Sequence, residues 1–144
     1  MEWYVGNNDI KLNNTIITIG KFDGIHRGHQ ALISEMNNQK KLGCTSVLLT
    51  FEQDINGEYI YSEEEKKEII SKLDIDVMIV YPFDEKFKNI EAEEFIKDIL
   101  IDRLGAKKIV VGSDFRFGKK RLGDVVLLKE LSAIYDYKLS VCHK

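Results

Sequence analysis

The chain has 144 residues, of which 44% are hydrophobic and 31% charged, and a formal net charge of −3. The length suits one compact domain, and the composition excludes a disordered chain. No apolar run approaches the roughly 20 residues of a membrane-spanning helix, and the charge balance gives no indication of a nucleic-acid-binding surface.

The N-terminal stretch Met-Glu-Trp-Tyr-Val lacks a basic start followed by an apolar segment, so we expect no secretion signal. Cys44 and Cys142 are far apart and match no metal-binding or redox spacing. Cysteines that form neither a disulfide nor a metal site are typical of a reducing compartment, and we therefore expect a cytoplasmic protein.

Short apolar runs alternate with amphipathic segments along the chain. Strands are predicted at 15–20, 45–51, 77–81, 108–111 and 138–142, and helices at 30–42, 62–73, 91–104 and 125–135. This alternation predicts right-handed βαβ crossovers in an α/β fold, a Rossmann-like parallel sheet with helices on both faces. Such sheets bind ligands at the carboxyl ends of their strands, where the two most unusual stretches of this sequence lie.

The first of these stretches, G-K-F-D-G-I-H-R-G-H, runs from Gly20 to His29 between a strand and a helix. Its three glycines allow a tight turn and the close approach of a bulky anion. The helix N-terminus contributes free N–H groups and a partial positive charge, and imidazoles donate hydrogen bonds to phosphate oxygens. The combination favours a phosphate site.

Two other interpretations of His26 and His29 stay open at this point. A His-x-x-His pair is compatible with a metal site, although no third ligand stands at a supporting spacing. The pair is also compatible with capping or packing histidines.

The second stretch, G-S-D-F-R-F-G-K-K-R-L-G-D, runs from Gly112 to Asp124 after a predicted strand. Its two aromatic residues either pack beneath the loop or offer one ring to a planar ligand. Its four basic residues are either solvated or clamp an anion. The sequence alone leaves both pairs of alternatives open.

The two stretches together resemble a known family. G-x-F-D-G-x-H-x-G-H is similar to the signature of the nucleotidylyltransferase superfamily, and its F-D-G form resembles the FAD synthetase branch. The G-x-D-F-x-F-G-x-x-R-x-G-D pattern of the second stretch resembles the same family, as does the E-A-E-E-F segment that precedes it.

The resemblance implies an FMN adenylyltransferase that uses ATP and FMN as substrates with Mg²⁺, which ATP phosphates rather than protein ligands would hold. It implies small-molecule partners, with neither a nucleic acid nor a membrane. The implied catalytic residues are His26 and His29. The implied ATP-binding residues are Gly20, Phe22, Asp23, Gly24, Gly28, Arg116, Lys119 and Arg121, and the implied flavin-binding residues are Asp114, Phe115 and Phe117.

The sequence departs from the family pattern in two places. Gln53 and Asp54 follow Thr50-Phe51-Glu52 where the family has Pro-His-Pro. The family's S-S-T-x-I-R motif, which binds ATP phosphates, would begin near Lys144. We therefore expect residues 1–144 to form one adenylyltransferase-like domain, with its C-terminal part missing and the family's riboflavin kinase domain absent.

Two other functions compete with FAD synthesis. A different nucleotidylyltransferase, such as a cytidylyltransferase-like enzyme, would share the H-x-G-H motif, although the D-F-R-F-G segment argues against it. A non-catalytic nucleotide- or flavin-binding module would keep the fold without turnover.

Overall fold

The computed structural model describes residues 2–5, 10–20, 27–52, 64, 67–68, 71, 74–82 and 85–143. The strands are β1 (Glu2–Val5), β2 (Thr15–Gly20), β3 (Thr45–Glu52), β4 (Val77–Pro82), β5 (Ala106–Gly112) and β6 (Lys138–Cys142). The helices are α1 (Arg27–Gln39), the single turn α2 (Glu85–Lys88), α3 (Ala92–Glu94, continuing as the π-helical Phe95–Arg103) and α4 (Val125–Tyr135). None of the helices within these residues is long and apolar enough to cross a membrane.

The six strands form one parallel sheet in the order β1-β4-β3-β2-β5-β6. From β2 the chain proceeds through β3 to β4 on one side, and later through β5 to β6 on the other. The order therefore reverses between β2 and β5, at the centre of the sheet. This arrangement confirms the predicted Rossmann-like parallel sheet.

Apolar side chains cover both faces of the sheet, as predicted. On one face α1 packs with its buried stripe of Leu32, Ile33 and Met36. On the opposite face α3 and α4 pack over the alternate strand residues. The strands carry near-continuous apolar runs because both of their faces are buried. Since the helices lie on the faces, the carboxyl edge of the sheet is left for the loops that carry the two motifs.

Most predicted elements match the structure in type and in bounds to within a few residues. The helix 125–135 and the strand 138–142 coincide with α4 and β6, and α1 begins and ends three residues earlier than predicted. Of the predicted helix 62–73 the described residues are Glu64, Lys67, Glu68 and Ser71, which are helical. The strand β1 and the turn α2 were not predicted.

The helix α3 is wound more loosely than predicted. Leu104 N–H bonds to the carbonyl of Ile99, five residues back, at 3.0 Å. The residues that this helix buries are Phe95, Ile96, Ile99 and Leu100. Gly105, which directly follows the predicted helix 91–104, has a φ of +61°.

A polar network lies where the strands begin, at the edge of the sheet opposite the two motifs. The Asp76 carboxylate accepts hydrogen bonds from Lys40 Nζ, from Ser46 N–H at 3.0 Å and from Ser46 Oγ at 3.3 Å. Burial by itself would raise the pKa of Asp76, but these hydrogen bonds and the Lys40 charge outweigh it and hold the pKa below the usual 3.8. The network ties the end of α1 to the start of β4.

Replacement of Asp76 by Asn should destabilise the protein at neutral pH and have little effect in acid. A carboxyl whose pKa is lowered by folding contributes stability above its unfolded pKa, and this contribution is lost as the pH falls through the folded value. Urea unfolding of the wild type and Asp76→Asn at pH 7, 5 and 3 measures the difference. A difference that is constant across this range would contradict the ion-pair account.

Candidate functional site

The two predicted motifs begin at the carboxyl ends of neighbouring strands. Gly20 ends β2 and Gly112 ends β5, and the two strands pair in parallel with Thr18 opposite Val110. The strand order reverses at this pair. Open parallel sheets bind ligands in the crevice outside the strand ends at such a reversal. The fold therefore brings the beginnings of both motifs to the edge where a ligand is expected.

The helix α1 begins inside the first motif, at Arg27. Gly28 and His29 lie in its first turn, which contains no acidic residue. The first turn of a helix has N–H groups without intrahelical partners and a partial positive charge, both of which suit an anion. The predicted site residues Phe22, Asp23, Gly24 and His26 lie outside the described residues, and the roles of His26 and His29 stay predictions.

The second motif forms a closed loop after β5, which we call the basic loop (residues 113–124). Phe117 and Gly123 pair across its base through two backbone hydrogen bonds, of 3.1 and 2.8 Å. Lys119–Arg121 form a 3₁₀ turn between them. Asp124 ends the loop by capping α4, since its carboxylate accepts from Leu127 N–H at 3.0 Å.

The basic loop carries four positively charged side chains. Arg116, Lys120 and Arg121 are exposed and Lys119 is half-buried. None of the four forms an ion pair among the residues that the structure describes. Guanidinium and ammonium groups with no internal partner remain free to contact anionic oxygens.

Two glycines fix the basic loop to the start of α3. A Cβ on Gly118 would lie 2.7 Å from the Ala92 Cα, and one on Gly123 would lie 2.7 Å from the Phe117 ring and 2.8 Å from the Ala92 Cβ. The Lys119 N–H also donates to the Ile90 carbonyl at 2.7 Å. The basic side chains are thus presented by a loop that is clamped at its base. No sequence pattern predicts that Ala92 contacts Gly118 and Gly123, which lie 26 and 31 positions later, so this contact was not predicted.

The backbone of the basic loop carries strain at its tip. Lys120 and Arg121 have φ values of 56° and 55°, in the left-handed region that glycine normally occupies. Such conformations cost on the order of 1–3 kcal/mol each and are frequent at ligand clamps. Both strained residues are exposed cations of the loop.

The two aromatic residues of the basic loop have different environments. Phe117 is buried and contacts Phe95 with 5.5 Å between ring centroids, so it packs beneath the loop. Phe115 is half-buried and stacks on Phe117 at 5.3 Å and 14°. Asp114 is exposed, and its carboxylate occupies space that a side chain at Gly112 would enter, 3.1 Å from the Cβ position.

Comparison with known proteins shows which family this arrangement belongs to. A sequence model described as FAD synthetase matches residues 9–144. The chain belongs to the FAD synthetase family. The match contains both motifs and every predicted site residue, and it confirms the resemblance inferred from the sequence.

Several bacterial relatives share this family membership. The chain is 39% identical over 139 residues to a bifunctional riboflavin kinase/FMN adenylyltransferase of Buchnera aphidicola, covering 90% of this chain and 45% of that protein. It is 31% identical over 134 residues to the Escherichia coli K12 protein of the same name, and the match covers 87% of this chain and 43% of that protein. A putative protein of this name from Geobacillus thermodenitrificans is 31% identical over 135 residues, and the match covers 90% of this chain and 74% of that protein. The chain thus spans less than half the length of the first two relatives.

A solved structure supports the fold. The crystal structure of a macrolide-efflux protein from Streptococcus pneumoniae superposes with a TM-score of 0.77 at 23% identity, covering 97% of this chain and 49% of the other. At this identity the similarity concerns the architecture alone.

Proposed function

We propose that this chain transfers AMP from ATP to FMN, producing FAD and pyrophosphate. The observation that carries the proposal is the meeting of Gly20 and Gly112 at the strand-order reversal, where the chain's two family motifs begin. Membership of the FAD synthetase family and the names of its relatives support the same reaction.

The reaction needs positioning and charge neutralisation more than covalent participation by the protein. An oxygen of the FMN phosphate forms a bond to the α-phosphorus of ATP, while the bond from that phosphorus to the bridging oxygen breaks and pyrophosphate leaves in line. His26 and His29 stabilise the charge that develops on the α-phosphate and on the leaving group. The first turn of α1 adds its dipole, and Asp23 orients a histidine.

The ATP phosphates lie between the first motif and the basic loop in this proposal. Gly20, Gly24 and Gly28 permit close approach of the triphosphate to the backbone. Arg116, Lys119 and Arg121 contact the outer phosphates, and their lack of internal ion pairs among the described residues leaves their charges available. A clamped loop is suited to this role because the cations are pre-organised.

The flavin lies on the other side of the basic loop. Phe115 offers a half-buried ring to the isoalloxazine, and Phe117 supports Phe115 from beneath. Asp114, which is exposed next to them, contacts a polar group of the flavin.

Magnesium enters the proposal as part of the ATP substrate. The described residues contain no group of three or more histidine, cysteine, aspartate or glutamate side chains that would hold a metal ion. Phosphate oxygens and water are the ligands that Mg²⁺ retains in such sites. The proposed compartment is the cytoplasm, which fits the two free cysteines.

The test is pyrophosphate release by this chain with ATP, Mg²⁺ and FMN, with the product identified chromatographically. FAD formation would support the proposal. Folded protein that binds ATP and FMN without forming FAD would reject turnover by this chain and favour a binding module, and turnover with CTP in place of ATP would favour a different nucleotidylyltransferase.

A further inference from the structure

Ala92 is enclosed by two glycines of the basic loop. It is the first residue of α3 and is 9% exposed. A Cβ on Gly118 would lie 2.9 Å from the Ala92 Cβ, and one on Gly123 would lie 2.8 Å from the same atom. Carbon atoms pack at roughly 3.5–4.0 Å, so the Ala92 methyl group already occupies the space that a side chain at either glycine would need.

The first half of the basic loop is held by ring packing. Phe117 is buried, with its ring centroid 5.5 Å from that of Phe95. Phe115, the proposed flavin contact, stacks on Phe117 at 5.3 Å. The flavin side of the loop is therefore positioned by aromatic contacts with the core.

The second half of the basic loop, residues 118–123, is held by the start of α3. The glycines at its two ends contact Ala92. Between them, the Lys119 N–H donates to the carbonyl of Ile90, two residues before Ala92, at 2.7 Å. This half carries the proposed phosphate contacts Lys119 and Arg121, so the positions of both cations depend on the fit of the loop against Ala92.

The helix is the fixed partner in this contact. Phe95 and Ile96, in the turn that follows Ala92, are 2% and 0% exposed, so a shift of α3 would disturb the closely packed core. The tip of the loop lies at the surface, where Lys120 and Arg121 are exposed. A larger side chain at position 92 should therefore displace the loop and leave the helix in place.

We propose that Ala92 is a positioning residue for ATP, whose small side chain sets where Lys119 and Arg121 stand against the phosphates. The inference rests on the proposed function. Charge-assisted hydrogen bonds to phosphate need donor and acceptor atoms within a few tenths of an ångström of their best distance. A displaced loop loses such bonds even though both cations are still present, while the flavin side of the loop keeps its ring contacts.

The test compares Ala92→Val with the matched control Ala106→Val in the full chain. Ala106 is 2% exposed in the same apolar core, but it begins β5 at the opposite edge of the sheet. ATP with Mg²⁺ is titrated by calorimetry, FMN by quenching of its fluorescence, and stability is measured by urea unfolding. Both variants should lose stability through overpacking. Ala92→Val alone should weaken ATP, by about tenfold for one lost charge-assisted hydrogen bond, with FMN affinity unchanged. Ala92→Ser adds a single atom and should weaken ATP by about two- to threefold, which keeps the test available if the valine variant does not fold.

A double-mutant cycle separates positioning from general loss of structure. In a chain that carries Lys119→Ala and Arg121→Ala, adding Ala92→Val should not weaken ATP further, because the cations that it positions are gone. The same fold-weakening in both backgrounds, unchanged ATP affinity in Ala92→Val and Ala92→Ser, or an equal loss of ATP affinity in Ala106→Val would overturn the positioning role and leave the proposed function intact. The expected pattern in a chain that forms no FAD would support the positioning role and reject turnover. A folded wild-type chain that binds no ATP would overturn both proposals.

Discussion

Replacement of His29 by alanine should reduce FAD synthesis by at least about a hundredfold and leave the folded protein intact. A preorganised donor aimed at developing charge contributes on the order of two to three powers of ten to the rate. His29 lies in the first turn of α1, where alanine is a better helix former than histidine, so no loss of helix is expected. Pyrophosphate release gives the rate, and circular dichroism with thermal unfolding gives the integrity of the fold.

The exposed His143 provides a matched control for this variant. His143→Ala removes the same side chain from a position just after β6, and it should retain the wild-type rate. His29→Gln keeps an N–H donor without a titratable ring, so partial recovery relative to alanine would identify hydrogen bonding as the contribution. A His29→Ala protein with wild-type turnover would show that the phosphate motif is not catalytic in this chain.

Replacement of Gly118 by alanine should destabilise the protein by about 2–6 kcal/mol. The value combines about 1–3 kcal/mol for a side chain at φ +77° and ψ −179°, which essentially only glycine adopts, with about 1–3 kcal/mol for overpacking, because the new Cβ would lie 2.7 Å from the Ala92 backbone. Against a typical total of about 5–15 kcal/mol, this is a large fraction. Urea unfolding measures the loss, and the KM for ATP should rise because the basic loop is displaced.

Two other glycines separate the causes of this effect. Gly43 has φ +87° with nothing within 4 Å of its Cβ position, so Gly43→Ala measures the conformational cost by itself. At Gly123 a Cβ would meet the Phe117 ring at 2.7 Å, so Gly123→Ala measures the steric cost. Gly43→Ala should leave the KM for ATP unchanged. If it costs as much stability as Gly118→Ala, the contact with Ala92 is not what fixes the loop.

The parts of the fold that sequence reasoning recovered are those set by local patterns. The buried runs of β2 and β3 are β-branched or aliphatic and are flanked by glycine, and α4 is bracketed by its Asp124 cap and the left-handed Asp136. These signals lie within the element or next to it. Bounds were least accurate at α1, which begins at Arg27 and not at the predicted Gln30.

The strand β1 was missed because its signal is not local. Trp3 and Tyr4 lie on this edge strand of the sheet. Four residues with no alternation give no strand pattern of their own, and their partners, Met78 and Ile79, stand far along the chain. The π-helical winding of α3 was not predicted either.

The location of the candidate site could be predicted from the sequence, whereas the contacts that hold the basic loop in place could not. Gly20 and Gly112 could be assigned to strand ends from the sequence, and the rule for parallel sheets then predicts where a ligand binds. The contact of Gly118 and Gly123 with Ala92 depends on how the basic loop folds back on α3.

The pairing of β1 with β4 has a consequence for the order of folding. Glu2 pairs with Val77, so the partners are 75 residues apart, whereas Lys108 and Lys138 in the β5–β6 ladder are 30 apart. The longer loop costs only about 0.8 kcal/mol more in closure entropy, but such distant contacts are formed slowly. β1 pairs only with β4, so it can join the sheet only after β4 has paired with β3. We therefore expect the sheet to grow outward from β2, and β1 to close it in one of the last steps.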